Sequence, residues 1–322
     1  MGKFLIRRIS QSLLILIGVT LVVFFFIHSA PGDPFIQSLN PNITPELREK
    51  MLRDIGYYDP VCIQYFKWLK NVCCGNLGYS IRFGEPVAQV IMDYLPNTIL
   101  LGLVSLIVSI GISIPAGIYS ATHRNGILDY LVTIFCFLGI SIPSFFFGLL
   151  LIKIFAYDIP LFPTSGMLTV GQNFGFWAGA ADRVRHLILP SVVLSLVNTA
   201  TFMRYTRSAM MDVIDQDYIR TARAKGVREK TVIRKHGFRN ALISIITVIT
   251  LSIPSIFSGA VLTETIFVWP GIGRVNYDAI LRRDYPLIMG VLLMIAVIIL
   301  LSNLIADICY AVADPRIRYE EE

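Results

Sequence analysis

Six long uncharged stretches constrain this chain more than any other feature. They run Ile9–Ala30, Leu100–Ile118, Tyr130–Ile152, Leu187–Met203, Asn240–Thr263 and Pro286–Ala306. Each is close to the ~20 residues a helix needs to cross ~30 Å of hydrocarbon. A membrane β-barrel would read instead as short segments of alternating polarity. With 55% hydrophobic and 16% charged residues over 322 positions, and a mean hydropathy of +0.65, polar surface is too scarce for a soluble domain. The expectation is an all-α polytopic membrane protein with six transmembrane helices.

Lys3, Arg7 and Arg8 ahead of the first stretch resemble the basic start of a secretory signal. The apolar part is longer than the ~7–15 residues of such a signal, and Pro31 follows Ala30 directly, so it reads as a retained helix. Basic residues then set the orientation. Arg204, Arg207, Arg220, Arg223, Lys225, Arg228, Lys230, Arg234, Lys235 and Arg239 crowd the join between the fourth and fifth stretches, and Arg316 and Arg318 follow the sixth. Positive charge stays inside, which predicts both termini in the cytoplasm and residues 31–97 outside. The net charge of +6 is accounted for by these membrane-flanking clusters, and no nucleic-acid partner is expected. The organisation predicted is residues 1–30 as an N-terminal segment and first span, 31–97 as an extracytoplasmic helical loop, and 98–322 as the core with a cytoplasmic loop over 212–238.

In the outer loop, Thr44 as N-cap, Pro45, the stripe Leu47, Met51, Leu52 and Ile55, and a stop at Gly56 predict one short helix. A second is expected from Val61 to Val72. Pro115, Pro143 and Pro254 fall inside spans two, three and five and predict kinks, serving either packing or a hinge. Lys153 reads as an interfacial anchor, His28 and His186 as interfacial polar groups, and Glu264 as a cavity or subunit-interface residue. Asn198, Thr199 and Thr201 are polar enough to face a pathway, although helix–helix hydrogen bonding explains them equally. Cys62 with Cys73 or Cys74 permits a disulfide in an oxidising exterior; no CxxC, HExxH or phosphate-binding glycine loop occurs. The GxG of "FVWPGIGRVNYDAI" lacks the strand and helix of a dinucleotide site and reads as a turn at the outer surface.

The polar segment "QDYIRTARAKGVREKTVIRKHGFRNAL" interrupts the apolar chain between spans four and five. Asp215 and Asp217 are expected to cap a short helix, with Tyr218, Ala222 and Lys225 along one side and Ile219 packing on Ala222. Gly226 is expected as a left-handed stop. A second helix is predicted from Val227 to His236, ended by Gly237. A basic lipid tether would need no capped helix pair with small residues at packing positions. Such a shape suits a groove on another protein.

At these residues the chain resembles the permease subunits of bacterial ABC importers for dipeptides, oligopeptides and related solutes such as nickel. The resemblance spans essentially the whole chain. It is carried in order by "APGDP" (30–34), "SIPSFFFGLLL" (141–151), "LILPSVVLSL" (187–196), "RYTRSAMMDVIDQDYIRTARAKG" (204–226), "RNAL" (239–242), "ETIFVWPGIGR" (264–274), "RDYPL" (283–287) and "ADPRIRY" (313–319). It implies the type I ABC importer permease fold in a bacterial inner membrane, with residues 212–238 as the family's EAA loop. On that resemblance Asp217, Tyr218, Arg220, Thr221, Ala222, Lys225 and Gly226 would couple to an ATPase. Arg220-Thr221-Ala222 stands where the superfamily consensus has Glu-Ala-Ala, and Ser244 stands where a proline is expected. The partners implied are a second, homologous permease, two cytoplasmic ATPase subunits that hold ATP and Mg, and an extracytoplasmic solute-binding protein. This chain itself would carry no catalytic residue, cofactor or metal. An ion-driven secondary transporter would want carboxylates at the bilayer midplane and an internal repeat, and neither is present. A membrane enzyme would want clustered His, Asp or Glu at membrane depth.

Overall fold

The computed structural model describes residues 2–29, 49, 53, 58–172 and 174–313. The elements are α1 (Gly2–Ser29), α2 (Val61–Cys73), α3 (Val87–Thr122), α4 (Ile127–Ser141), α5 (Ser144–Ile152), α6 (Phe176–Ile214), α7 (Asp217–Ala224), α8 (Glu229–Thr231), α9 (Arg239–Ile266), α10 (Ile272–Arg282) and α11 (Tyr285–Ala313). Two wide π-helical stretches extend them, Lys153–Asp158 after α5 and Val232–Phe238 between α8 and α9. The expected helix over 44–56 falls almost entirely outside the described residues. The one expected from Val61 to Val72 is present and ends a residue later.

Among the described residues five helices are long and apolar enough to cross a membrane, and the pair α4 and α5 raises the number to six if it counts as one span. The structure corrects the expectation of a kink at Pro143. The helix stops there, and the two legs meet at 100°. Ile142 is extended (φ −78°, ψ 122°) because a residue before proline is pushed out of the helical region. Pro115, Pro190 and Pro254 instead sit within continuous helices.

The chain divides into two compact units, one of Met1–Pro96 with Gly271–Leu300, the other of Asn97–Pro270 with Leu301–Glu322. In the first, Val87, Val90 and Ile91 of α3 pack with Ile272, Val275 and Ala279 of α10 and Leu287, Ile288 and Val291 of α11. The join of α10 and α11 is built by "RDYPL". Arg283 turns left-handed (φ 57°), and Asp284 caps α11 by accepting from the Leu287 amide at 3.3 Å. The same buried carboxylate accepts from Ser80 Oγ at 2.5 Å and from the Arg82 amide at 3.0 Å, pinning the turn over 79–86. Asp284→Ala is therefore expected to cost about 2 kcal/mol, the upper end for a lost cap. Limited proteolysis should then cut within 80–85 while the spans stay resistant.

The second unit is held by close helix approach. Hydrocarbon offers helices no hydrophobic drive to associate, so packing of small residues and hydrogen bonds must do it. On α3, Ser105, Ser109, Ser113, Gly117 and Ala121 recur every fourth residue and are buried. Ser109 Oγ donates to Ser195 O of α6 at 3.1 Å. A Cβ on Gly117 would lie 2.7 Å from Thr206 Cβ, so α3 and α6 touch almost backbone to backbone. Cys136 of α4 packs with Ala200 and Met203 of α6, and Ala121 and Met210 with Ala241 and Ile245 of α9.

Candidate functional site

The polar segment between α6 and α9 folds as a compact protrusion of the second unit. Asp215 is the C-cap of α6, and after Gln216 the chain re-enters helix at Asp217. The expected caps are corrected here. Gln216 is the N-cap of α7 and makes no side-chain cap, while Asp215 pairs with Arg124 at 3.0 Å. Asp217 lies exposed in the first turn of α7, where its charge suits the helix dipole, 3.6 Å from Arg220.

The stop at Gly226 forms as expected. Its φ is +74°, the Gly226 amide donates to Arg223 O at 2.9 Å, and the Val227 amide donates to Ala222 O at 3.3 Å. These two bonds are the Schellman pair that satisfies the last carbonyls of α7, with Val227 packed against Ala222 as its apolar contact. Ile219, Ala222 and Val232 form a small core with Val213 and Val227. The expected packing of Ile219 on Ala222 forms, but Ala222 does not share a side with Tyr218 and Lys225, which are exposed while it is buried. The exposed side carries Tyr218, Arg220, Thr221, Lys225 and Gly226. Arg223 and Glu229 clasp the turn with bonds of 2.7 and 3.1 Å.

Gly237 does not end a separate helix. It is buried, 3.4 Å from Met210 Cε by its would-be Cβ, and the chain passes from α8 through the π-helical stretch into α9 without a break. No residue there adopts positive φ, so nothing stops the helix. The protrusion is thus rooted in α6 on one side and in α9 on the other.

Beside this root lies a cluster the sequence did not single out. Asp129, in the first turn of α4, is buried and receives Arg207 of α6 through Nε at 2.7 Å and Nη2 at 3.0 Å. Ser120 of α3 donates to the same carboxylate and accepts from Arg207 Nε at 3.0 Å. The Asn125 amide, in a left-handed turn (φ 59°), adds a bond of 3.1 Å. A charge pair at such a site is tolerated because each carboxylate oxygen is bonded. The only sequence signal was an acid beside an apolar run and an arginine at the end of another, 78 residues apart. Next to it α4 and α6 border an open pocket of about 300 Å³ lined by Val132, Cys136, Phe137, Arg204, Ser208 and Met211, among others.

The remaining expected residues are dispersed. Asn198 is half-buried and bonds Leu194 O at 3.4 Å, and Thr199 is buried on α6. Glu264 is wholly buried within the second unit and accepts from Thr98 at 2.5 Å. Its neighbour Trp269 is buried too, donating to Asn97 O at 3.1 Å, and Gly271 and Gly273 are covered rather than at a surface turn. His186 is buried against Asp182, which Thr169 holds with two bonds. Lys153 is exposed and pairs with Asp158 at 2.7 Å. Cys62, Cys73 and Cys74 are exposed and unpaired. Among the described residues no three metal-ligating side chains converge.

The described residues form membrane-length helices with a helical knob rooted in two of them, and comparison with known proteins gives the family. Residues 113–319 match the family described as binding-protein-dependent transport system inner membrane component, and residues 1–102 match that family's N-terminal part. The chain belongs to this family. It is 47% identical over 320 residues to the oligopeptide transport system permease protein AppB of Bacillus subtilis (strain 168), covering 99% of this chain and 100% of that one. It is 37% identical over 339 residues to the dipeptide transport system permease protein DppB of Escherichia coli (strain K12), covering 100% of both. Among solved structures, the MetNI methionine ABC transporter in an inward-facing form superposes with a TM-score of 0.56 at 16% identity, over 70% of this chain and 97% of that one. The fold is that of a type I ABC importer permease, and the chain is a multi-pass inner-membrane transport subunit of a bacterium.

Proposed function

We propose that this chain forms half of the translocation path of an ATP-driven peptide importer. A second, homologous permease completes the path, two cytoplasmic ATPase subunits bind ATP and Mg, and an extracytoplasmic binding protein delivers the cargo. The observation that carries this reading is the rooting of α7. Two residues join it to α6, and a Schellman turn with a continuous helical run joins it to α9, leaving no slack at either end. When the ATPase pair closes on ATP, a knob seated in its cleft drags both helices with it. Alternating access then needs only that ATP favour one of two arrangements of these spans. Peptide as cargo is supported by the oligopeptide and dipeptide names of the relatives, which this chain matches end to end.

The test is reconstitution of the co-purified assembly in liposomes with labelled di- and oligopeptides inside an external binding-protein bath. Uptake should require internal-facing ATPase sites supplied with ATP and should survive an ionophore. Nickel chelates, glutathione and oligosaccharides should fail to compete. Uptake by this chain alone, driven by an ion gradient, would reject the proposal.

A further inference from the structure

The coupling helix is fastened to more than its own two roots. The turn over 123–126, between α3 and α4, is tied on both sides to the same short length of chain. On one side Arg124 reaches Asp215, two residues before α7 begins, at 3.0 Å. On the other, Asp129 takes a two-pronged guanidinium from Arg207, two turns up α6, at 2.7 and 3.0 Å. Ser120 closes the set from α3, bonded to both members of the pair. Three helices, with the C-cap of α6 that leads into α7, are therefore tied through one polar cluster, and its central carboxylate is buried.

We infer that Asp129, Arg207 and Arg124 are positioning residues which carry displacement of α7 into α3 and α4, so that four helices rather than two answer the ATPase. The argument is mechanical. The paired planar geometry of Arg207 with Asp129 fixes direction as well as distance, which a single point contact would not. An apolar contact of similar size would hold α4 against α6 yet let it slide. The joint also lies where the lever is shortest, at the end of α6 that leads into α7. The exposed Arg124–Asp215 pair is weak as a stability element. Its position still lets it resist rotation of the turn about the buried pair.

This inference rests on the proposed ATP-driven function. The experiment uses the whole reconstituted importer and reads peptide uptake and ATP hydrolysis together. Asp129→Asn should lower uptake per ATP by about tenfold, within the usual range for coupling between sites. ATP turnover should persist but lose its stimulation by loaded binding protein. Arg124→Ala, which removes only an exposed pair, should lower the same ratio about threefold with unchanged assembly and melting. Exchanging the charges, Arg124→Asp with Asp215→Arg, should restore most of it. If Asp129→Asn prevents assembly, the Arg124 variants decide alone. An unchanged ratio in Arg124→Ala, or uptake and hydrolysis falling in proportion in either variant, would overturn the inference. A wild-type assembly that never hydrolyses ATP would instead overturn the function on which it rests.

Discussion

Gly226→Val should abolish peptide uptake, by tenfold or more on the scale of site-to-site coupling, while the protein still inserts and assembles. The residue sits at φ +74°, and nothing lies within 4 Å of a Cβ built there, so the effect is conformational rather than steric. A left-handed conformation costs an ordinary L-residue about 1–2 kcal/mol, and a β-branched one is worse off still. To escape it the chain must give up the Schellman bonds from Gly226 and Val227. α7 would then run on or unwind, and Ile219, Ala222 and Val232 would no longer meet. Gly226→Asn supplies the control, because asparagine tolerates this region. It should retain most of the uptake. Equal activity of the valine and asparagine variants would show that the turn has no part in coupling.

Gly117→Leu should leave little folded protein in the membrane. A Cβ at this position meets Thr206 Cβ at 2.7 Å and the Met203 carbonyl oxygen at 2.9 Å. The carbonyl belongs to the backbone of α6 and cannot swing aside. Even alanine forces the helices apart, at about 1–3 kcal/mol for an overpacked site, and leucine should exceed that. Gly111, six residues earlier on the same helix, has nothing within 4 Å of its own would-be Cβ. Gly111→Ala should be neutral or stabilising by up to about 1 kcal/mol, the helix propensity difference. Yield and thermal melting of the detergent-purified chain report both. Similar behaviour of the two alanine variants would contradict the close approach of α3 and α6.

The spans were legible because hydropathy responds to the same hydrocarbon that selects helices, but their lengths were not. Charge-free counting ended span two at Leu100–Ile118, whereas α3 runs Val87–Thr122, since a helix need not stop where the lipid does. The break at Pro143 was illegible for another reason. Ile114-Pro115, Leu189-Pro190, Ile253-Pro254 and Ile142-Pro143 present the same local chemistry, and only packing decides which helix survives. Pro190, for example, is buried on a helix whose Leu189 and Val193 belong to one core cluster. In the segment between α6 and α9, Gly226 could be read because a left-handed stop is a local property of one residue. The inward turn of Ala222 depends on Val232, ten positions later in the chain, and no spacing rule announces that meeting. The knot at Asp129 joins residues farther apart still.

The wide turns over Val232–Phe238 set the phase of everything beyond them. A helix with more residues per turn slips its side-chain rows around the axis relative to an ordinary α-helix. Val232, at its start, packs into the knob, while Ala241 and Ile245, beyond it, pack with Met210 and Ala121. Removing one residue from this stretch would swing all of α9 by about 100° about its own axis. What the segment specifies is therefore a count of residues, an angular setting between handle and shaft, more than the identity of any side chain in it.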